Sequence, residues 1–198
     1  MARWLTRLLG RVKGPLGSAG NPVCCDSPVG ERHYLERLRD HQGKRPVFER
    51  MGSIGKGPYG NIIDVYTLSA NGISGREVHM DMHHRGYYEK TPIPGFYIFN
   101  IDLVKLNPPS GNGGISELTA FAGRLGDAAD NESASLQALL AGRHTADQCR
   151  MMLVAAVSLV LMSYGENREK VVQALLRREE LGLSDSDANL VFTFVVGE

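Results

Sequence analysis

Asn71-Gly72 lies between two strand-like runs, NIIDVYTLSA and ISGREVHMDMH, and in the second Val78, Met80 and Met82 alternate with His79, Asp81 and His83. Such a pair is the strongest short-range hairpin signal, because a tight type I′ turn needs positive φ at both central residues. Alternation has period two, so the second run turns one face to a core and the other outward. From Ile115 the apolar spacing becomes helical. Strands followed by helices predict an α+β fold, with a small antiparallel sheet and helices segregated mainly in the C-terminal half. With 198 residues, 42% hydrophobic, the chain can bury a sizeable core.

Three segments are expected. Residues 1–14 form a basic amphipathic segment, and residues 15–30, rich in Gly, Pro and Ser, read as a flexible tether. Residues 31–198 read as a single α+β domain, with the sheet mainly in 61–106, helices mainly in 115–181 and a returning strand over 189–196. GERHYLERLRDHQGK suits a short helix that turns Leu35 and Leu38 inward. GSIGKGPYG reads as a loop, and PGFYIFNIDLVKL as a third strand. Two short helices are expected, from Ser116 to about Leu125 and from Glu132 to Ala141. Thr145 with Gln148 has capping-box spacing and opens a long apolar helix that ends near Ser163. Glu166 to Leu181 is a further helix, and the β-branched and aromatic ANLVFTFVV returns to the sheet.

The row His79, Asp81 and His83 shares one face of a straight strand and admits two readings. It is either the wet face opposite Val78, Met80 and Met82, or part of a metal site. At ~3.4 Å per residue the three span roughly 14 Å, so they cannot close around one ion without donors from another segment. Gly55-Lys56-Gly57-Pro58-Tyr59-Gly60 fits GxGxxG, but the residues after it look like a strand. A phosphate-binding loop of that kind opens a helix instead. No catalytic residue and no cofactor motif stands out.

The first thirteen residues carry Arg3, Arg7, Arg11 and Lys13 and no acid, while Trp4, Leu5, Leu8 and Leu9 recur at helical spacing. This pattern suits an anionic membrane surface: the apolar stripe inserts and the cations meet headgroups. The adjacent Cys24 and Cys25 are candidates for acylation, and three cysteines make a poor disulfide framework, which favours a reducing compartment. The N-terminal pattern does not fit a secretory signal. A net charge of zero gives no indication of direct nucleic-acid binding.

Leu5 to Gly14 reads Leu-x-x-hydrophobic-Leu-Gly-x-x-Lys-Gly, and with the segment that follows it resembles the N-terminal region of rhabdovirus matrix proteins. The resemblance covers about fourteen residues and the general layout; the Pro-Pro-x-Tyr motif often found in that family is absent. It implies a non-enzymatic protein at the inner face of a membrane, cytoplasmic or in a virion, that self-associates and contacts a nucleocapsid. The expected function is therefore that of a peripheral membrane-associating structural or interaction protein. Its expected partners are an anionic membrane, further copies of itself and a protein partner. The alternative is a metal-dependent hydrolase using His79, Asp81 and His83.

Overall fold

The computed structural model describes residues 12–106, 114–162 and 183–197. These fall into two compact units, 1–98 and 99–198, where the sequence suggested one domain over 31–198. Mixed α and β content, with most helix in the second unit, makes the protein α+β. Residues 1–11 and the helix expected at Glu166 to Leu181 lie outside the described residues.

The first unit runs β1 (Val23–Asp26), α1 (Ser27–Arg37), β2 (Leu38–Arg39), β3 (Val47–Lys56), β4 (Ile62–Ala70), β5 (Ile73–Asp81), β6 (His83–Tyr88) and β7 (Tyr97–Ile98). Its main sheet has the order β3-β4-β5-β1-β6, and β2 pairs with β7 in a second, two-stranded sheet. Pairing is antiparallel except between β1 and β5, which are parallel. The Asn71-Gly72 hairpin forms as expected, but only Gly72 takes a positive φ (76°), so the turn is not type I′. Tyr66 lies opposite Val78 and Asp64 opposite Met80, so these side chains share one face of the sheet. Tyr66, Leu68, Val78 and Met80 join Tyr34, Leu35 and Leu38 in the core. The inward placement of Leu35 and Leu38 follows from their three-residue spacing along α1 and its end.

Residues 15–30 are not a tether. Leu16, Gly17, Asn21 and Pro22 are buried, and β1 inserts between β5 and β6. Gly17 has φ +89°, and a β-carbon there would sit 2.8 Å from Ile93 Cγ2. Its carbonyl accepts the His79 backbone N–H at 2.8 Å. Glycine and proline serve close packing and tight turns here, a use that composition does not separate from flexibility. Cys24 and Cys25 are fully buried within β1, so neither is accessible for acylation.

GSIGKGPYG is mostly strand. β3 runs through Lys56, with register shifts between Arg50 and Gly52 and between Ile54 and Lys56, and only residues 57–60 form a turn. Such bulges bend a strand and give glycine a use within it. The third expected strand shrinks to Tyr97–Ile98, because Pro94 and Gly95 form a turn at its start and Leu103–Leu106 is a short helix.

The second unit contains α2 (Leu103–Leu106), α3 (Ile115–Leu139), α4 (Ala146–Met162) and α5 (Asp185–Val196). The two short helices expected before residue 141 are one helix, α3, which buries Phe121, Leu125, Ala129, Leu136 and Leu139 along a single stripe. Gly126 continues that stripe at close range: a β-carbon there would lie 3.0 Å from Arg150 Nη2 on α4. The capping box forms reciprocally. Gln148 N–H donates to Thr145 Oγ1 at 3.2 Å, and Thr145 N–H donates to Gln148 Oε1 at 2.8 Å.

The returning strand over 189–196 is instead helix α5. Ser184 caps it by accepting the Asp187 N–H at 3.1 Å, two acids occupy the first turn, and Gly197 closes it at φ 81°. Ala188, Val191, Phe194 and Val195 then bury one helical face, and this packing overrides the strand preference of Val, Thr and Phe.

Candidate functional site

Of the eight residues assigned to membrane docking, Arg3, Trp4, Leu5, Arg7, Leu8, Leu9 and Arg11 lie outside the described residues. Lys13 is described and exposed, and its N–H donates to the Gly20 carbonyl at 2.8 Å.

His79, Asp81 and His83 are not brought together. β5 ends at Asp81 and β6 begins at His83, paired with Asp26, so the row does not continue along one strand. Val78 and Met80 are fully buried as expected, whereas Met82 is only half-buried. His79 Nδ1 lies 3.3 Å from the Gly17 carbonyl. Among the described residues, no group of three or more His, Cys, Asp or Glu side chains is placed to hold a metal ion.

Asp81 does not face water: it is fully buried. Its carboxylate accepts both bonds from the Asn61 amide, at 3.0 and 3.2 Å, and the His83 backbone N–H at 3.1 Å. His84 Nε2 lies 3.0 Å from Asp81 Oδ2, an ion-pair contact rather than an aligned hydrogen bond. Tyr59 packs edge-on to the His84 ring at 4.8 Å. Burial pushes Asp81 up, but His84, the His83 N–H and Asn61 outweigh it and hold the carboxyl below its usual range. Burial also opposes charge on His84, yet Asp81 and Cys24 raise its pKa to about 9. The glycine-rich turn thus contributes through its neighbours Tyr59 and Asn61, which seat the end of β5. It precedes a strand, and Gly57 N–H donates to the Asn61 carbonyl, so it does not have the form of a phosphate-binding loop.

A second constellation went unrecognised in the sequence. A cleft of about 410 Å³ is walled by Pro28, Phe48, Tyr66 and Met82, with Arg32, Arg50 and Asp64 as its charged lining. Its volume lies within the range of small-ligand sites. Arg50 grips Asp64 with two hydrogen bonds, Nε to Oδ2 at 3.0 Å and Nη2 to Oδ1 at 2.9 Å. Ser53 Oγ donates to Asp64 Oδ1 at 2.7 Å. Behind them Glu31 of α1 is fully buried, and Tyr66 Oη donates to its Oε2 at 3.0 Å. Arg50 holds Asp64 below its ordinary range against the pull of burial. Burial first, and then the Asp64 charge, raise Glu31 to about 7, although the Tyr66 hydroxyl opposes the rise.

The chemistry available in the cleft is ion pairing and proton exchange. Ser53 is no activated nucleophile, because the group it donates to is a weakly basic carboxylate. One sequence signal was available: Asp64 interrupts the apolar run IIDVY at a position that faces the core. Glu31 carried none, since an acid near the start of an amphipathic helix is ordinary.

The second unit has a smaller polar cluster. Asp187 accepts from Arg143 Nη2 at 2.5 Å and lies 3.1 Å from His144 Nε2. Burial raises Asp187, but Arg143, His144 and Ser184 together hold it low. This pairing ties the turn after α3 to the start of α5. Comparison with family models, curated proteins and solved structures finds no match for this chain.

Proposed function

We propose that this protein is a non-enzymatic, peripheral membrane-associating structural or interaction protein that docks on an anionic membrane through residues 1–13. One observation carries the reading: four cations and no acid share thirteen residues with an apolar stripe at helical spacing. Trp4, Leu5, Leu8 and Leu9 insert, and Arg3, Arg7, Arg11 and Lys13 contribute about 1 kcal/mol each near an anionic leaflet. The exposure of Lys13 supports the reading, because the last of the four cations is open to solvent beside a folded body. The resemblance of Leu5 to Gly14 to rhabdovirus matrix proteins extends it: the body self-associates beneath the membrane and links it to a nucleocapsid.

Vesicle flotation tests this. The full chain should float with phosphatidylserine-containing vesicles and not with purely zwitterionic ones, and raising the salt to 1 M should release most of it, because exposed charges are screened. Removing residues 1–14 should abolish flotation. A truncated protein that floats as well as the full chain would overturn the assignment.

A further inference from the structure

We propose that Glu31 and Asp64 form a proton-operated latch. A proton carried by Glu31 and donated to Asp64 clamps α1 onto the sheet, and loss of that proton loosens α1 and opens the cleft.

The latch follows from how the carboxyl oxygens are occupied. Glu31 Oε2 accepts from Tyr66 Oη, while Glu31 Oε1 is enclosed and has no hydrogen-bond partner. Asp64 lies against this carboxyl, and its own oxygens already accept from Arg50 and Ser53. Ionised Glu31 therefore places a second negative charge beside Asp64 inside the protein, with one oxygen lacking a donor. Buried polar atoms in that state are costly. A proton on Oε1 removes the charge and turns that oxygen into a donor, and a carboxylate oxygen can accept more than one hydrogen bond. The proton comes from bulk water and returns to it.

The groups facing Glu31 are Asp64 and Tyr66 from β4, Arg50 from β3 and Cys25 from β1. Among them Arg50 is the cation, and it is committed to Asp64 with a half-exposed side chain. The proton therefore resides on Glu31, whose pKa is raised to about 7, and not on Asp64, which is held low. The sign follows from linkage. A carboxyl with a raised folded pKa stabilises fully below its ordinary value of 4.5, and that contribution is lost as pH rises through about 7. The latch is closed at pH 5 and open above pH 7.

Hydrogen exchange on the full chain at pH 5.0 and 7.0, corrected for intrinsic rates, tests the latch. At pH 7.0 the change linked to His84, which runs from 6.5 to about 9, has only begun. Protection of α1, residues 27–37, should fall at least about tenfold relative to α4 between the two pH values, tenfold being the effect of one pH unit of linkage. In Glu31→Gln, whose amide supplies a permanent donor, α1 should be equally protected at both pH values. Parallel changes in α1 and α4 of the wild type would overturn the latch by themselves, whether or not the variant folds. So would a wild-type-sized fall in Glu31→Gln.

Discussion

Two buried carboxyl groups of the first unit, Glu31 and Asp81, are equally hidden from water and end in opposite protonation states. Both are fully buried, and for both burial is the largest influence and opposes ionisation. Asp81 receives an amide, a backbone N–H and an imidazolium, and it stays ionised. Glu31 receives one hydroxyl and faces a second carboxylate, so it holds its proton to about pH 7. The number and charge of the donors that meet each oxygen decide the state, and depth of burial does not.

The comparison can be broken from either side. The largest effect is expected at Asp81: Asp81→Asn leaves the His84 imidazolium enclosed without a counter-charge. Breaking a buried pair this way costs about 3–5 kcal/mol, measurable by urea unfolding at pH 6. Next comes Glu31→Gln, which should stabilise the first unit by roughly 2–3 kcal/mol at pH 7.5, the linkage value of the Glu31 shift, and change little at pH 4.5. A third test uses His84, whose raised pKa gives stability that is fully present below 6.5 and lost as pH rises through about 9. Stability of the wild type should therefore fall in two ranges, about 4.5 to 7 from Glu31 and 6.5 to 9 from His84. Glu31→Gln should flatten only the first and Asp81→Asn only the second. The smallest effect belongs to Arg50→Ala, because its side chain is 49% exposed. It should lower stability measurably at low ionic strength, and less in 1 M salt.

Local patterns were legible in the sequence. Asn71-Gly72 marked the hairpin, the Thr145 and Gln148 pair marked the start of α4, and the alternation over Val78 and Met80 marked the buried face of β5. Long-range choices were not. Nothing local shows that Val23–Asp26 slips between β5 and β6, so a packed strand read as part of a tether. In residues 189–196 strand propensity pointed one way, while the Ser184 cap and the spacing of Ala188, Val191 and Phe194 pointed the other, and packing prevailed. His79, Asp81 and His83 formed a visible row, yet the partner of Asp81 is His84, because the chain changes strand after Asp81. The Glu31 and Asp64 pair joins residues 33 positions apart on a helix and a strand, and only the packing of α1 on the sheet brings them together.

The most direct measurement is a carbon-13 titration of the side-chain carboxyls, with Glu31 and Asp81 resolved in the same sample. Glu31 should titrate near pH 7, and Asp81 should remain ionised below the usual aspartate range. A Glu31 midpoint near 4.5, or both carboxyls titrating together, would contradict the account.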